Sequence, residues 1–199
     1  MRIPEWSDGY TLTVNGERVE PETVGDRTIR LTRAWADGDE AVLEFNAPVR
    51  VSYWYDNAAV IERGPLIYSL RMEEQWRKRE CEGEGEDAAR YGEYYYEVTS
   101  PTAWNVALRN DDLTGDNPKE RFTVERRACG PRPWSPQDAP IVIRGRGVRF
   151  PSWHQVRGSA ANVNYLSQIY PEEEVAEEVA IELVPYGCTT LRITEFPVR

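Results

Sequence analysis

Tyr10-Thr11-Leu12-Thr13-Val14-Asn15-Gly16 alternates strictly: Tyr10, Leu12 and Val14 fall on one side of an extended chain and Thr11 and Thr13 on the other. A period of two is the mark of a half-buried strand, and Asn-Gly after it supplies the two residues that tolerate positive φ in a tight hairpin turn. The same period returns with Ile29 and Leu31, with Ala41, Leu43 and Phe45, and with Val49, Val51 and Tyr53, and Asp37-Gly38-Asp39 punctuates the middle pair. Four such strands in succession predict a meander. An antiparallel sheet of this kind buries one face and has to pack it on a second layer, so the expected fold is all-β, an antiparallel β-sandwich.

Further along, the tract from Glu73 to Tyr91 has no sustained apolar face of either period and reads as a long surface excursion, its glutamates solvated rather than gathered on a metal. Short strand-like runs follow: YYYEV (94–98), WNVAL (104–108) and RFTVE (121–125). Prolines at 131, 133, 136 and 140 then forbid helix and central strand alike, which places CGPRPWSPQDAP (129–140) at an edge or between sheets. In IVIRGRGVRF (141–150), Ile141 and Ile143 share one face and Val142 and Arg144 the other. VAIELV (179–184) and TTLRITEF (189–196), joined by Pro185-Tyr186-Gly187, read as a closing hairpin, and the acidic run Glu172 to Glu178 as a solvated linker.

A chain of 199 residues can hold one sizeable core or two small ones. Its net charge of -10 argues against a nucleic-acid partner, which calls for a basic surface to displace condensed counterions. No stretch approaches the apolar length of a membrane span, and no apolar signal core opens the chain, so no membrane partner is expected. The compartment is left open between cytoplasmic and secreted. Cys81, Cys129 and Cys188 are widely spaced and odd in number, and read as free thiols rather than a disulfide scaffold or a zinc knuckle. His154 is the single histidine, beside Trp153 just after a predicted strand; its plain role is structural or superficial, and a Ser-His-Asp triad on it has no sequence support.

RIPEW (2–6), ERGPLIYSL (62–70) and LVPYGCTTLRITEFP (183–197), in that order, resemble the C-terminal part of family 127 glycoside hydrolases, the β-L-arabinofuranosidases. WNVAL, PWSPQDAPIVIRGRG and FPSW (150–153) are similar to stretches between those anchors. The resemblance implies a parent enzyme with an α/α barrel followed by two β-sandwiches, here without the barrel: residues 1–68 plus 177–199 forming the first, truncated sandwich and 69–176 the second, with long loops. It also implies that the chain begins inside an element, as an internal start or a piece cut from its barrel. Family chemistry, as the resemblance implies it, uses a cysteine nucleophile held near zinc by other cysteines and a glutamate, with a glutamate acid/base, all in the barrel. Cys81, Cys129 and Cys188 do not fall on that cysteine motif, so no catalytic and no metal-binding residue is carried over, and zinc is expected only in the barrel.

Two functions of different class follow. In one, the sandwiches brace the catalytic barrel of the parent or mediate self-association as a homodimer. In the other, the chain is an independent carbohydrate-binding module for arabinose-containing glycans, since sugar C–H faces stack on exposed rings. Trp35 and Trp54, within the meander, are expected in cross-strand packing. Trp134 and Trp153, each in proline-containing loop sequence, are expected to be exposed, and together with His154 are the candidate sugar-facing residues.

Overall fold

The computed structural model describes residues 1–81, 92–115, 117–163 and 177–199, the side chain at 117 excepted. The opening alternation forms β1 (Gly9–Val14), with Leu12 and Val14 buried. It turns at Asn15-Gly16, both at positive φ, into β2 (Glu17–Arg18). β3 (Glu22–Gly25) and β4 (Thr28–Arg30) make a separate ribbon. The Arg27 guanidinium ties that ribbon to the start of the chain, donating to the carbonyls of Ile3 at 3.2 Å and Ser7 at 2.6 Å and to that of Pro4. β5 (Ala41–Asn46) returns to β1, in register from Gly9↔Asn46 to Val14↔Ala41.

The expected meander is corrected here, because β5 pairs with β1 rather than β4 and β6 (Val49–Tyr53) enters a different sheet. The cause is local. The Asn15 side chain donates to Asp39 Oδ1 at 2.8 Å and accepts from the Glu40 N–H at 2.9 Å, which brings the start of β5 to the β1–β2 turn. Pro48, with no N–H to donate, then separates β5 from β6.

β7 (Ala59–Arg63) and β8 (Leu66–Leu70) continue antiparallel from β6, turning at Gly64, where φ is 59°. β9 (Gln75–Glu80) and β10 (Tyr94–Thr99) pair with each other as a two-stranded ribbon. The tract read as a surface excursion therefore starts as a strand, whose backbone groups find partners along Tyr94–Thr99; residues 82–91 lie outside the described residues. After β11 (Val106–Ala107) come two short helices, Asn110–Leu113 and Asn117–Arg121, then β12 (Thr123–Arg126) and the long β13 (Ile141–Arg149). A small hairpin of β14 (Gln155–Val156) and β15 (Ser159–Ala160) precedes β16 (Glu178–Pro185) and β17 (Glu195–Phe196). Of the acidic run read as a linker, Glu178 opens β16 and 172–176 lie outside the described residues.

The main sheet runs β11-β13-β16-β8-β7-β17, with β12 also on β13 and β6 also on β7. The expected closing hairpin is corrected: Tyr186–Cys188 form a 3₁₀ turn and β17 pairs with β7, so β8 and β7 lie between β16 and β17. Pro185 ends β16, and Cys188 is drawn into a buried cluster with Ala139, Val142 and Val184, which turns the chain away from its own strand. The boundary expected at 68/69 falls inside β8, and β13 and β16, from the two expected sandwiches, are hydrogen-bonded neighbours. Ile61, Tyr68, Ile143, Ile181, Leu183 and Phe196, from strands at both ends of the sheet, share one core. The protein is all-β and antiparallel, its sheet layered around that core.

At the centre, β13 keeps Ile143, Gly145 and Gly147 on the core side and Val142, Arg144, Arg146 and Val148 on the other, the alternation read from IVIRGRGVRF. The two glycines make room. A Cβ on Gly145 would lie 2.6 Å from the Phe122 ring, and one on Gly147 would lie 2.9 Å from the Ala107 carbonyl and closer still to Val106. Gly147→Ala is therefore expected to destabilise the fold by about 1–3 kcal/mol, the cost of overpacking, although an alanine normally gains about 0.4–1 kcal/mol from the unfolded chain. Urea unfolding checks it against Gly9→Ala, where nothing lies within 4 Å of the added carbon; equal midpoints for the two variants would contradict the close approach.

Candidate functional site

The three residues expected to face sugar sit in different surroundings. Trp134 is 66% exposed, in the proline-rich crossing. The carbonyl of its neighbour Pro133 accepts the Cys188 thiol at 3.3 Å, so this loop belongs to the cluster around Val142. Trp153 lies in a loop as expected, but its expected exposure is corrected: it is 2% exposed, donates Nε1–H to the Ala161 carbonyl at 2.7 Å and meets the Trp104 ring edge-on at 4.9 Å. It plugs a cluster with Ala107, Val148 and Phe150, apolar groups at the other end of β13 that a local sequence pattern does not reveal as neighbours. His154, one residue on, is exposed, with Nδ1 2.8 Å from the Ser152 carbonyl. Val142 and Val148 are separated by roughly 20 Å of extended chain, so Trp134 and the Trp153–His154 pair do not converge.

Other aromatic residues go the opposite way. Trp35 and Trp54, expected in packing, are both exposed. Trp35 lies in the loop before β5 under the Arg33 guanidinium at 5.0 Å, and Trp54 follows the end of β6, donating Nε1–H to Ser52 Oγ at 2.9 Å. Neither sits in a strand, so neither has a cross-strand partner to cover it.

An aromatic cluster that sequence reasoning missed lies on the β9–β10 ribbon. The register Tyr96↔Lys78 and Val98↔Trp76 puts Trp76, Lys78, Tyr94, Tyr96 and Val98 on one side. Trp76 and Tyr94 each meet the Tyr96 ring edge-on at 5.7 Å, and Lys78 Nζ stands 4.1 Å from the Tyr94 ring centre. All three rings are exposed. The other side carries Tyr95, also exposed, among polar side chains, with Arg79 donating to Glu97 at 2.8 Å. The available signal was the alternation within QWRKRE set against YYYEVT, charges and rings in matching order.

On the outer side of β13 a cross-strand ladder of charges runs Arg127, Glu125, Arg144, Glu182, Arg71. Arg127 Nε donates to Glu125 Oε1 at 2.7 Å, Arg144 Nε to Glu125 Oε2 at 3.0 Å, and Arg71 Nη1 to Glu182 Oε2 at 2.7 Å; Arg144 also pairs with Glu182. Hydrogen bonds from Arg127 first and Arg144 second lower the Glu125 pKa from 4.5 to about 2. The thiols stay apart: Cys188 is buried, which raises its pKa, Cys129 is exposed and Cys81 lies between, and all three are free. Among the described residues no three His, Cys, Asp or Glu side chains gather. The described residues of this chain therefore do not fit a zinc bound by cysteines and glutamate.

A family model described as "Beta-L-arabinofuranosidase, GH127 middle domain" matches residues 1–47, the segment that forms β1 to β5 and ends where Pro48 leads into the main sheet. No curated protein matches the sequence. Among solved structures, Ara127N-Se, a GH127 beta-L-arabinofuranosidase from Geobacillus stearothermophilus T6, is 20% identical over 100% of this chain and 26% of its own, with a TM-score of 0.51. A structure titled "Glycoside hydrolase" is 20% identical over 99% of this chain and 27% of its own, with a TM-score of 0.52. A GH127 beta-arabinofuranosidase is 16% identical over 96% and 23%, with a TM-score of 0.50. At these identities the likeness is one of fold, and the chain spans about a quarter of the length of the structures it matches. The likeness to GH127 proteins is thus one of sequence over residues 1–47 and one of fold over nearly the whole chain.

Because the Glu125 pKa is depressed in the folded state, its contribution is whole above about pH 4.5 and is lost as pH falls through about 2. Glu125→Gln is thus expected to be less stable than the unsubstituted chain at neutral pH, by an amount that shrinks across that window and with added salt, since the group is exposed to solvent. Denaturant midpoints from neutral pH down to about pH 2 check this; a difference that stays constant with pH would remove the ion pairs as its source.

Proposed function

We propose that this chain is the non-catalytic β-sandwich portion of a GH127-type glycoside hydrolase and that it braces the helical barrel of such an enzyme. One observation carries the reading: Trp76, Tyr94 and Tyr96 stand exposed on one side of a ribbon whose strands pair with each other. An isolated two-stranded ribbon is marginal in water, and rings half out of solvent on such a support are what a second surface would cover. Support from elsewhere is the extent of the likeness, which takes in almost all of this chain and about a quarter of each matched structure. In this reading the catalytic residues, any zinc and the binding of an arabinose-containing substrate belong to the barrel. The sandwich contributes rigidity.

The test supplies the barrel of a GH127 enzyme from the same source, fused to this chain or in trans. The pair is expected to co-purify and to melt above the barrel alone, and Trp76→Ser with Tyr94→Ser and Tyr96→Ser to weaken the association at least about tenfold, as the loss of clustered aromatic anchors does. A barrel that melts at one temperature with and without the chain would end the bracing reading. A dimer of the chain by itself, dissolved by the same three substitutions, would instead assign the ribbon to self-association.

A further inference from the structure

The turn between β1 and β2 is Asn15-Gly16, and Asn15 is the one asparagine of the sequence that a glycine follows. Both residues are exposed and hold positive φ, 51° and 81°, and nothing lies within 4 Å of where a Cβ on Gly16 would stand. A glycine in that place leaves its backbone nitrogen without a side chain to shield it from the carboxamide before it. The same carboxamide holds β5 to the turn. Asn15 Nδ2–H donates to Asp39 Oδ1 at 2.8 Å, Asn15 Oδ1 accepts the Glu40 N–H at 2.9 Å, and the Asn15 N–H donates to the Glu40 carbonyl at 2.9 Å. One side chain therefore both joins two strands and lies beside an unshielded nitrogen that can attack it.

Asp39 is itself held in place. Its Oδ2 accepts from the Ala36 N–H at 3.0 Å and from the Arg33 guanidinium at 3.3 Å. The hydrogen bonds from Ala36 first and Asn15 second keep its pKa below the ordinary carboxylate value, so Asp39 is ionised at neutral pH and takes the donor that Asn15 supplies. With both ends of the carboxamide engaged, the Asn15 side chain is turned to residues 39 and 40. Its Cγ meets the Gly16 nitrogen only when those bonds open, and an exposed turn opens at small cost.

We propose that Asn15 is a site of spontaneous deamidation, gated by its bonds to Asp39 and Glu40, and that its conversion releases β5 from the β1–β2 turn. The Gly16 nitrogen forms a bond to Asn15 Cγ, the Cγ–Nδ2 bond breaks and ammonia leaves, giving a succinimide; the proton that the Gly16 nitrogen gives up is balanced by the one that the departing amide takes. Water then adds to either ring carbonyl and opens the ring to aspartate or isoaspartate, with no change of oxidation state. An aspartate at this position has no N–H to give and sets a second carboxylate against Asp39, with Arg33 left to face both. An isoaspartate also adds a carbon to the main chain, and the two-residue turn that fixes Thr13↔Arg18 and Val14↔Glu17 loses its length. Either product frees the start of β5, at Val14↔Ala41. None of this rests on the bracing of a barrel.

Incubation of the complete chain in mildly alkaline buffer, followed by mass spectrometry of the tryptic peptide from Ile3 to Arg18, tests it. A gain of about 1 Da at Asn15 is expected, the exchange of an amide NH₂ for a hydroxyl. It should form faster by at least about threefold in the chain unfolded with guanidinium chloride, and by about threefold to tenfold in folded Asp39→Ala, which removes the acceptor of Asn15 Nδ2. Circular dichroism shows whether that variant is folded, and the comparison of folded with unfolded chain needs no variant. Asn15→Asp, which installs one product, should speed hydrogen exchange of the β5 amides by at least about threefold while those of β13 and β16 keep their rates. No mass gain in the unfolded chain, equal rates in the folded chain, the unfolded chain and Asp39→Ala, or β5 exchange that Asn15→Asp leaves unchanged would each overturn the proposal.

Discussion

The ladder between β13 and β16, in register from Ile143↔Leu183 to Val148↔Glu178, is the constraint on which the remaining structure depends. It sets Ile143, Ile181 and Leu183 into the common core and brings β12 and β11 along the other edge of β13. Side chains on a strand alternate faces, so a slip of one residue would send Arg144 and Arg146 inward and the isoleucines out. Gly145 and Gly147 add a condition of their own. A side chain at either position would force Phe122 or the Val106–Ala107 segment to shift.

Because one side of β13 is committed to the core, the other has to meet water along its middle, and it does so with charge. Arg144 stands opposite Glu182, and Glu125 and Arg71 extend the alternation of sign across four segments of chain. Exposed pairs of this kind add little free energy each. Their effect is on pairing: in the observed register opposite charges adjoin, while a shift by two residues would set Arg144 against Ala180 or Val184. The ends of the same side are closed by different means, the Val142–Val184–Cys188 cluster under the proline-rich crossing and the Val148–Phe150–Trp153 cluster at the other end.

Sequence periodicity reads such a molecule well where both neighbours are local and poorly where a distant strand decides. Tyr10 to Gly16 carried strand and turn together, and IVIRGRGVRF carried both of its faces. The segment TTLRITEF did not, since Pro185 at the end of β16 and Gly187 just past it suggest a hairpin while the space beside β16 is already taken by β8. Trp134 and Trp153 have near-identical local context, each preceded by proline within two residues, and opposite burial; the difference lies in Val148 and Phe150, which crowd around one and not the other. The ribbon hid behind its charges, because Arg77 and Arg79 mask an alternation that shows only when set against Tyr94 to Thr99. Of the stretches that carried the family resemblance, ERGPLIYSL spans the turn from β7 to β8 and LVPYGCTTLRITEFP runs from β16 to β17, segments that close the shared core. RIPEW lies within the residues that the GH127 middle-domain model matches.

β10 carries Tyr94 and Tyr96 on the exposed side of the ribbon. The ribbon has its own pair of strands and no share in the main sheet, so its orientation is set at the base, where the Glu73 N–H donates to Thr102 Oγ1 at 3.3 Å and Glu74 accepts from the N–H groups of Thr190 at 2.6 Å and Leu191 at 3.2 Å.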